Sequence, residues 1–223
     1  MAAIYDEIRQ RGYAAIAAGR ETLDLLLGSA EDLRFGITLT IRPEDEAGCA
    51  AAQRIRRFQE RMRAIEPEQY YYPPDTFHVS AFCFVAARQG YQPDAAQVAG
   101  CAEIAARVLE GLPPICLELR GVAASEGAVL VCGYEDGTLT RLRESLREAM
   151  RKGPLPLDER FFARTFHLTC ARFIRPLSRR NALLSLLRAS EQEPFGHLLA
   201  TDFQLVCHDW YDRRKTVLAR FSF

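Results

Sequence analysis

"FHVSAF", residues Phe77 to Phe82, sets a histidine and a hydroxyl two positions apart inside a short apolar run. Side chains alternate across a strand. As a strand this segment turns His78, Ser80 and Phe82 to one face and Phe77, Val79 and Ala81 to the other. "FHLTCARF", Phe166 to Phe173, repeats the arrangement, with His167 and Thr169 on one face and Phe166, Leu168 and Cys170 on the other. A single pair of this kind reads as packing. Two with the same polarity do not, because a core has no reason to repeat a titratable ring beside a hydroxyl.

Outward from these strands the chain runs through one series of elements twice. "RFGITLTIRP" (Arg34 to Pro43) alternates Ile37, Leu39 and Ile41 and reads as a strand ended by proline. Ala51, Ile55, Phe58, Met62 and Ile65 follow helical spacing, and the His78 strand comes next. A helix from about Asp94 to Leu109, N-capped by Asp94, precedes strands at Ile115–Ala123 and Ala128–Glu135. The second half gives a helix over Leu139–Met150, the His167 strand, a helix over Ser178–Arg188, and strands at Phe203–Asp209 and Lys215–Phe223. Sliding the first half until His78 meets His167 lays strand near strand and helix near helix, a duplication in architecture and barely in identity. The expected fold class is α+β: two pseudo-symmetric lobes, antiparallel sheets lining a central cleft, helices packed outside. Residues 34–223 form that bilobal unit, and residues 1–33 are an N-terminal helical extension, helical from residue 3 to about 27.

Composition narrows the partners. Lys+Arg and Asp+Glu both total 29 in 223 residues, so the net charge is zero. Proteins that coat long duplex nucleic acid carry a strong positive excess, and this chain is expected not to be one. A small nucleotide or an RNA terminus remains possible, since a local site can be positive on a neutral protein. The seven cysteines are widely spread with no CxxC pair, which suits reduced thiols and a cytoplasmic compartment. "MAAIYDEIRQRGYAAIAAGRE" lacks the basic start and apolar core of a secretory signal, and no apolar run approaches the ~18 residues of a membrane span. A monomer that does not engage membranes is expected.

Paired histidines suit proton transfer near neutrality, because free imidazole titrates at about 6.5. One ring can accept a proton from a nucleophile while the other donates to a leaving group. The hydroxyls of Ser80 and Thr169, on the same faces, can donate to the non-bridging oxygens of a phosphate between the rings. Neither a metal nor another cofactor is needed.

At "HVSA" (His78) and "HLTC" (His167) the chain resembles the two-histidine (2H) phosphoesterase superfamily, which includes the RNA 2′,3′-cyclic phosphodiesterase/2′-5′ RNA ligase enzymes. The mark of that superfamily is two H-x-[S/T]-x tetrapeptides, each on a strand, one per lobe. The resemblance covers roughly residues 34–223 and leaves the N-terminal helical stretch unaccounted for. Ser80 keeps the hydroxyl where threonine is usual, whereas Ala81 and Cys170 replace a larger aliphatic residue. It implies a phosphoesterase acting on a cyclic phosphate or 2′-5′ phosphodiester, with His78 as general acid and His167 as the base that activates water. The rival expectation is a module that binds a nucleotide or RNA end in the same cleft without turnover.

Other polar residues are read more plainly. His197 and His208 have no H-x-H or HExxH partner, so His208 is expected at a surface or strand edge, and no metal site is expected. Cys170 should be an inert core thiol. Tyr71 and Tyr72, in the proline-stiffened "YYYPPD" (Tyr70 to Asp75), could stack a base or ribose, as could Trp210 and Tyr211. Arg54, Arg56, Arg57, Arg61 and Arg63 read as a solvated helix face. Strict alternation puts Arg172 on the strand face opposite His167 and so outside the site.

Overall fold

The computed structural model describes residues 1–158 and 163–222. Its helices are α1 (Ala2–Ala17), α2 (Glu46–Ile65), α3 (Ala95–Leu109), α4 (Thr138–Lys152) and α5 (Arg180–Ala189). Its strands are β1 (Arg34–Ile41), β2 (Tyr70–Tyr71), β3 (Val79–Gln89), β4 (Ile115–Ala124), β5 (Ala128–Tyr134), β6 (Phe166–Arg172), β7 (Pro194–Ala200), β8 (Asp202–Asp209) and β9 (Lys215–Ser222). Two of the helices open on an aspartate cap. The Asp45 carboxylate accepts from Gly48 N at 3.0 Å to open α2, and Asp94 accepts from Gln97 N at 2.8 Å to open α3. Among the described residues no helix is long and apolar enough to cross a membrane.

The strands form one sheet in the order β7-β4-β5-β6-β3-β1-β8-β9, with β2 added to β6. It divides into two four-stranded antiparallel halves that meet where β6 lies beside β3. The series β1–α2–β3–α3 in one half answers β5–α4–β6–α5 in the other, which is the expected duplication. β8 and β9 return from the C-terminal end to complete the first half. One core contains Ile55, Phe58 and Met62 of α2 and Leu139, Leu142 and Leu146 of α4, together with Val79 and Leu168. Leu168 is fully buried, so its truncation to alanine should cost roughly 2–5 kcal/mol.

Two elements differ from expectation. The first helix stops at Ala17 rather than near residue 27, because Gly19 takes a left-handed φ of 65° and Arg20 N bonds back to Ala15 O at 2.8 Å. That turn closes the helix as a glycine C-cap does. β7, an edge strand, was not evident in "PFGHLLA", where a proline and a glycine obscure the alternation.

The motif strands also break alternation, both at the same place. In β3, Ser80 pairs with Thr40 and Phe82 with Leu39, leaving Ala81 as an extra residue. In β6, Thr169 pairs with Leu130 and Ala171 with Val129, leaving Cys170 extra. Each β-bulge falls immediately after the motif hydroxyl and flips the face of the residues beyond it. Phe82 therefore enters the core, fully buried, instead of sharing a face with His78 and Ser80.

The bulge carbonyls are satisfied across the seam. Arg143, from α4, donates through Nε to Ala81 O and through Nη2 to Ser80 O, both at 2.9 Å. Gln59, from α2, donates to Cys170 O at 2.7 Å. The helix of each half thus serves the bulge of the other, and both side chains are buried.

Candidate active site

β3 and β6 pair at Val79 and Leu168, after which β6 continues with β2 instead. Continuing that antiparallel register by one residue sets His78 opposite Thr169 and Ser80 opposite His167. All four side chains then point away from the core that holds Val79 and Leu168. Across such a ladder directly opposed Cβ atoms lie about 4.5–5.5 Å apart, and diagonal neighbours, here the two histidines, about 7–8 Å. His78, His167 and Thr169 are half-buried and Ser80 is exposed.

Two adjoining cavities open on this patch. One of about 210 Å³ is lined by His78, Ser80, Thr169, Arg172, Thr38 and Tyr72. The other, about 630 Å³, is lined by His167, Arg143 and Thr165 and includes residues of α1. Ser80, Cys83, Ala87 and Trp210 line both.

Arg172 belongs to the smaller cavity, contrary to the alternation argument. The extra residue at Cys170 returns Arg172 to the face of Thr169. Its Nε donates to Tyr72 Oη at 3.2 Å, and its guanidinium lies 5.4 Å from the Trp210 ring centre. Nothing in a single sequence marks a bulge of this kind.

His208 is the second residue that spacing missed. Rather than sitting at a free edge, it meets the His78 ring edge-on, with centroids 5.5 Å apart at 86°. Its Nε2 lies 2.9 Å from Thr38 Oγ1 and its Nδ1 3.2 Å from Asp212 Oδ1. Asp212 is completely buried at a left-handed φ of 59°, and also accepts from Arg42 at 2.7 and 2.9 Å and from Lys215 Nζ at 2.8 Å. Burial pushes its pKa up, but the adjacent His208 ring and the hydrogen bonds from Arg42 more than offset this and hold the carboxyl far below the usual range.

His78, His208 and Asp212 bring potential ligand atoms within 4.8 Å of one another. The carboxylate oxygens are already taken by two cationic side chains and His208, and His208 Nε2 faces Thr38. The donor set suits a proton network better than a metal ion.

The catalytic candidates have matched acidities and unmatched surroundings. His78 Nδ1 is 2.9 Å from Thr76 O; a carbonyl only accepts, so Nδ1 donates and Nε2 remains for chemistry. His167 Nδ1 lies 3.0 Å from Thr165 Oγ1. Burial pushes both pKa values down to about 4, so both rings are neutral at pH 7 in the free protein. For His78, Asp212 opposes the fall while His208 and Arg42 add to it. For His167, the charges of Arg143 and Arg172 both deepen it.

The tyrosines separate. Tyr72 lines the smaller cavity and is nearly buried. Tyr71 is turned away, donating to Glu66 O at 2.8 Å under the Arg63 guanidinium. Tyr211 is buried beside the site, bonded to Arg34 Nη2 at 2.6 Å, and lines neither cavity, whereas Trp210 lines both. Cys170 is buried, His197 is exposed, and none of the seven cysteines is in a disulfide. In the arginine-rich helix, Arg54 donates to Phe195 O and Arg61 pairs with Glu193, so that face is partly tied to β7 and its approach.

A two-lobed antiparallel sheet joining two H-x-[S/T] strands at its seam defines a two-histidine phosphoesterase fold. A family model, the 2′-5′ RNA ligase superfamily, matches residues 43–209, and the chain belongs to that family. Solved structures share the fold at low identity. TT0787 of Thermus thermophilus is 18% identical at a TM-score of 0.58, the match covering 85% of this chain and 97% of that one. LigT of E. coli, complexed with 3′-AMP, is 18% identical at a TM-score of 0.53, with 86% and 98% covered. No curated protein matches the chain.

Proposed function

We propose that the protein is a metal-independent phosphoesterase that hydrolyses a cyclic phosphate or 2′-5′ phosphodiester of a nucleotide or RNA end. The observation that carries this reading is the Val79–Leu168 pair, which sets both histidines and both hydroxyls on one patch. A phosphorus held there would have a ring on either side, with Ser80, Thr169 and Arg172 available to its non-bridging oxygens. Membership of the 2′-5′ RNA ligase superfamily, and the nucleotide held by LigT, support the substrate class.

Roles follow from charge. His78 faces the Asp212 carboxylate together with His208 and the Arg42 guanidinium, whereas His167 is perturbed by the guanidinium groups of Arg143 and Arg172. With an anionic phosphate raising both pKa values, the proton is assigned to His78, the ring beside the Asp212 carboxylate, as general acid. His167 stays neutral and removes a proton from water. As the water oxygen bonds to phosphorus, the P–O bond to the leaving oxygen breaks and that oxygen takes its proton from His78.

The test is turnover by EDTA-treated protein on a panel of 2′,3′-cyclic nucleotides, RNA ending in a cyclic phosphate, and 2′-5′ oligonucleotides. Multiple turnovers on at least one support the reading. Binding without turnover would leave the module that only holds a nucleotide or RNA end, and loss of activity restored by one divalent metal would remove metal independence.

A further inference from the structure

We infer that the first turns of α1 form a nucleoside-binding wall on the His167 side of the site. This rests on the phosphodiester reading above and extends it to a segment, Ala2–Ala17, outside the residues 43–209 matched by the family model.

The helix is held against the face that carries His167. Cys132 is the direct partner of His167 across β5 and β6, and Tyr5 packs on Cys132 and Ala123. Tyr5 Oη donates to Phe166 O at 2.7 Å and accepts from Gly133 N at 3.0 Å. Arg9 Nε donates to Val122 O at 2.9 Å. Farther along, a Cβ on Gly12 would lie 1.8 Å from Ala124 O, so only glycine allows this approach. These contacts leave little freedom to swing away from the site.

Having docked through Tyr5, Arg9 and Gly12, α1 presents Ile4, Glu7, Ile8 and Arg11 to the cavity of about 630 Å³. The spacing of three, one and three residues is that of a single helix stripe. Ile4 and Ile8 give an apolar surface suited to the face of a base, and Trp210 lies on the same cavity. Arg11, 3.5 Å from Glu126, and Arg164, 3.5 Å from Glu7, supply cations, and Glu7 supplies an acceptor for ribose or base donors.

Size points the same way. Pockets that bury a drug-sized ligand are about 300–1,000 Å³. The larger cavity lies in that range; the smaller, at about 210 Å³, suits the phosphate. Both meet at Ser80, so a phosphate there can carry its nucleoside into the larger space.

Trp210 is the only tryptophan and reports directly on this space. AMP and inorganic phosphate are titrated into the full-length protein by calorimetry and by Trp210 fluorescence. AMP should bind at least ~10-fold more tightly than phosphate, and Ile8→Phe, which fills the cavity, should weaken AMP by ~10-fold while leaving phosphate within about twofold. Arg11→Gln, at a largely exposed position that pairs with Glu126 at 3.5 Å, should weaken AMP several-fold. Equal affinities for AMP and phosphate, or AMP binding unchanged in both variants, would overturn the inference. The two readings fail separately. Wild-type turnover with AMP binding insensitive to α1 removes the wall alone, whereas α1-dependent AMP binding without turnover removes only catalysis.

Discussion

The surroundings of His78 and His167 differ more than their strands do. Both histidines precede a hydroxyl by two residues, and both strands bulge at the next position, Ala81 in one and Cys170 in the other. Five residues after each histidine the chain again faces the site, where it places Cys83 in the first half and Arg172 in the second. Around His78 lie the buried Asp212 with His208 and Arg42; around His167 lie Arg143, Arg172 and the N-terminal helix. The duplicated scaffold supplies two equivalent rings, and the unduplicated neighbours give them different charged surroundings, on which the proposed acid and base roles rest.

Removing either ring should break this comparison most severely. His78→Ala and His167→Ala should each lower kcat by at least the ~10²-fold typical of a lost general acid or base. Their folds should survive, because half-buried rings facing a cavity contribute little packing; circular dichroism and thermal melts check this. Near wild-type rates in a folded variant would end the paired mechanism. In the pH profile, loss of His78 should remove the basic limb and loss of His167 the acidic limb.

Next in size come the phosphate donors. Ser80→Ala and Thr169→Val should each cost ~10- to 10³-fold in kcat/KM, since one donor to a developing charge is worth a few kcal/mol. Unequal losses would show which half bears more of the equatorial charge. Equal wild-type values in both would take the hydroxyls out of the chemistry.

What could be read from the residues depended on whether local pattern decided the structure. The two motif strands, Asp94 as a cap, and the apolar spacing of α2 and α4 announce themselves because periodicity and capping are local. The bulges at Ala81 and Cys170 are stabilised by Arg143 and Gln59, helices away in sequence, so alternation wrongly placed Phe82 on the site face and Arg172 off it. His208 looked like an edge residue because its partners, Asp212 and Thr38, depend on a tight turn and a neighbouring strand. Tyr71 and Tyr72 are adjacent, yet only Tyr72 reaches the site cavity; composition could not divide them.

A smaller effect sharpens the electrostatic half of the comparison. Arg172 lowers the His167 pKa, so Arg172→Gln should raise the His167 titration midpoint and leave that of His78 nearly unmoved. Imidazole proton resonances followed by NMR read the two rings separately. Movement of both, or of His78 alone, would mean that Arg172 does not distinguish them.

The smallest effect expected is on stability. Each ring titrates near 4 when folded and near 6.5 when unfolded, so between these values the unfolded chain binds more protons. Stability from neutral burial of the rings is therefore fully present above about pH 6.5 and lost as pH falls toward 4. The carboxylates add an acid-side loss of their own, since Asp212 and Asp32 are held below their ordinary values, and it must be subtracted. His167→Asn does this within one background: it keeps a polar side chain but cannot titrate. Urea midpoints should fall less between pH 6.5 and 4 for His167→Asn than for wild type, and the same substitution at His78 should flatten the curve too. Because its asparagine cannot repel Arg42 as a protonated ring would, the His78 variant also tests the Asp212 network. Parallel wild-type and variant curves would mean that the rings are not held neutral by burial, and the electrostatic division between the halves would lose its basis.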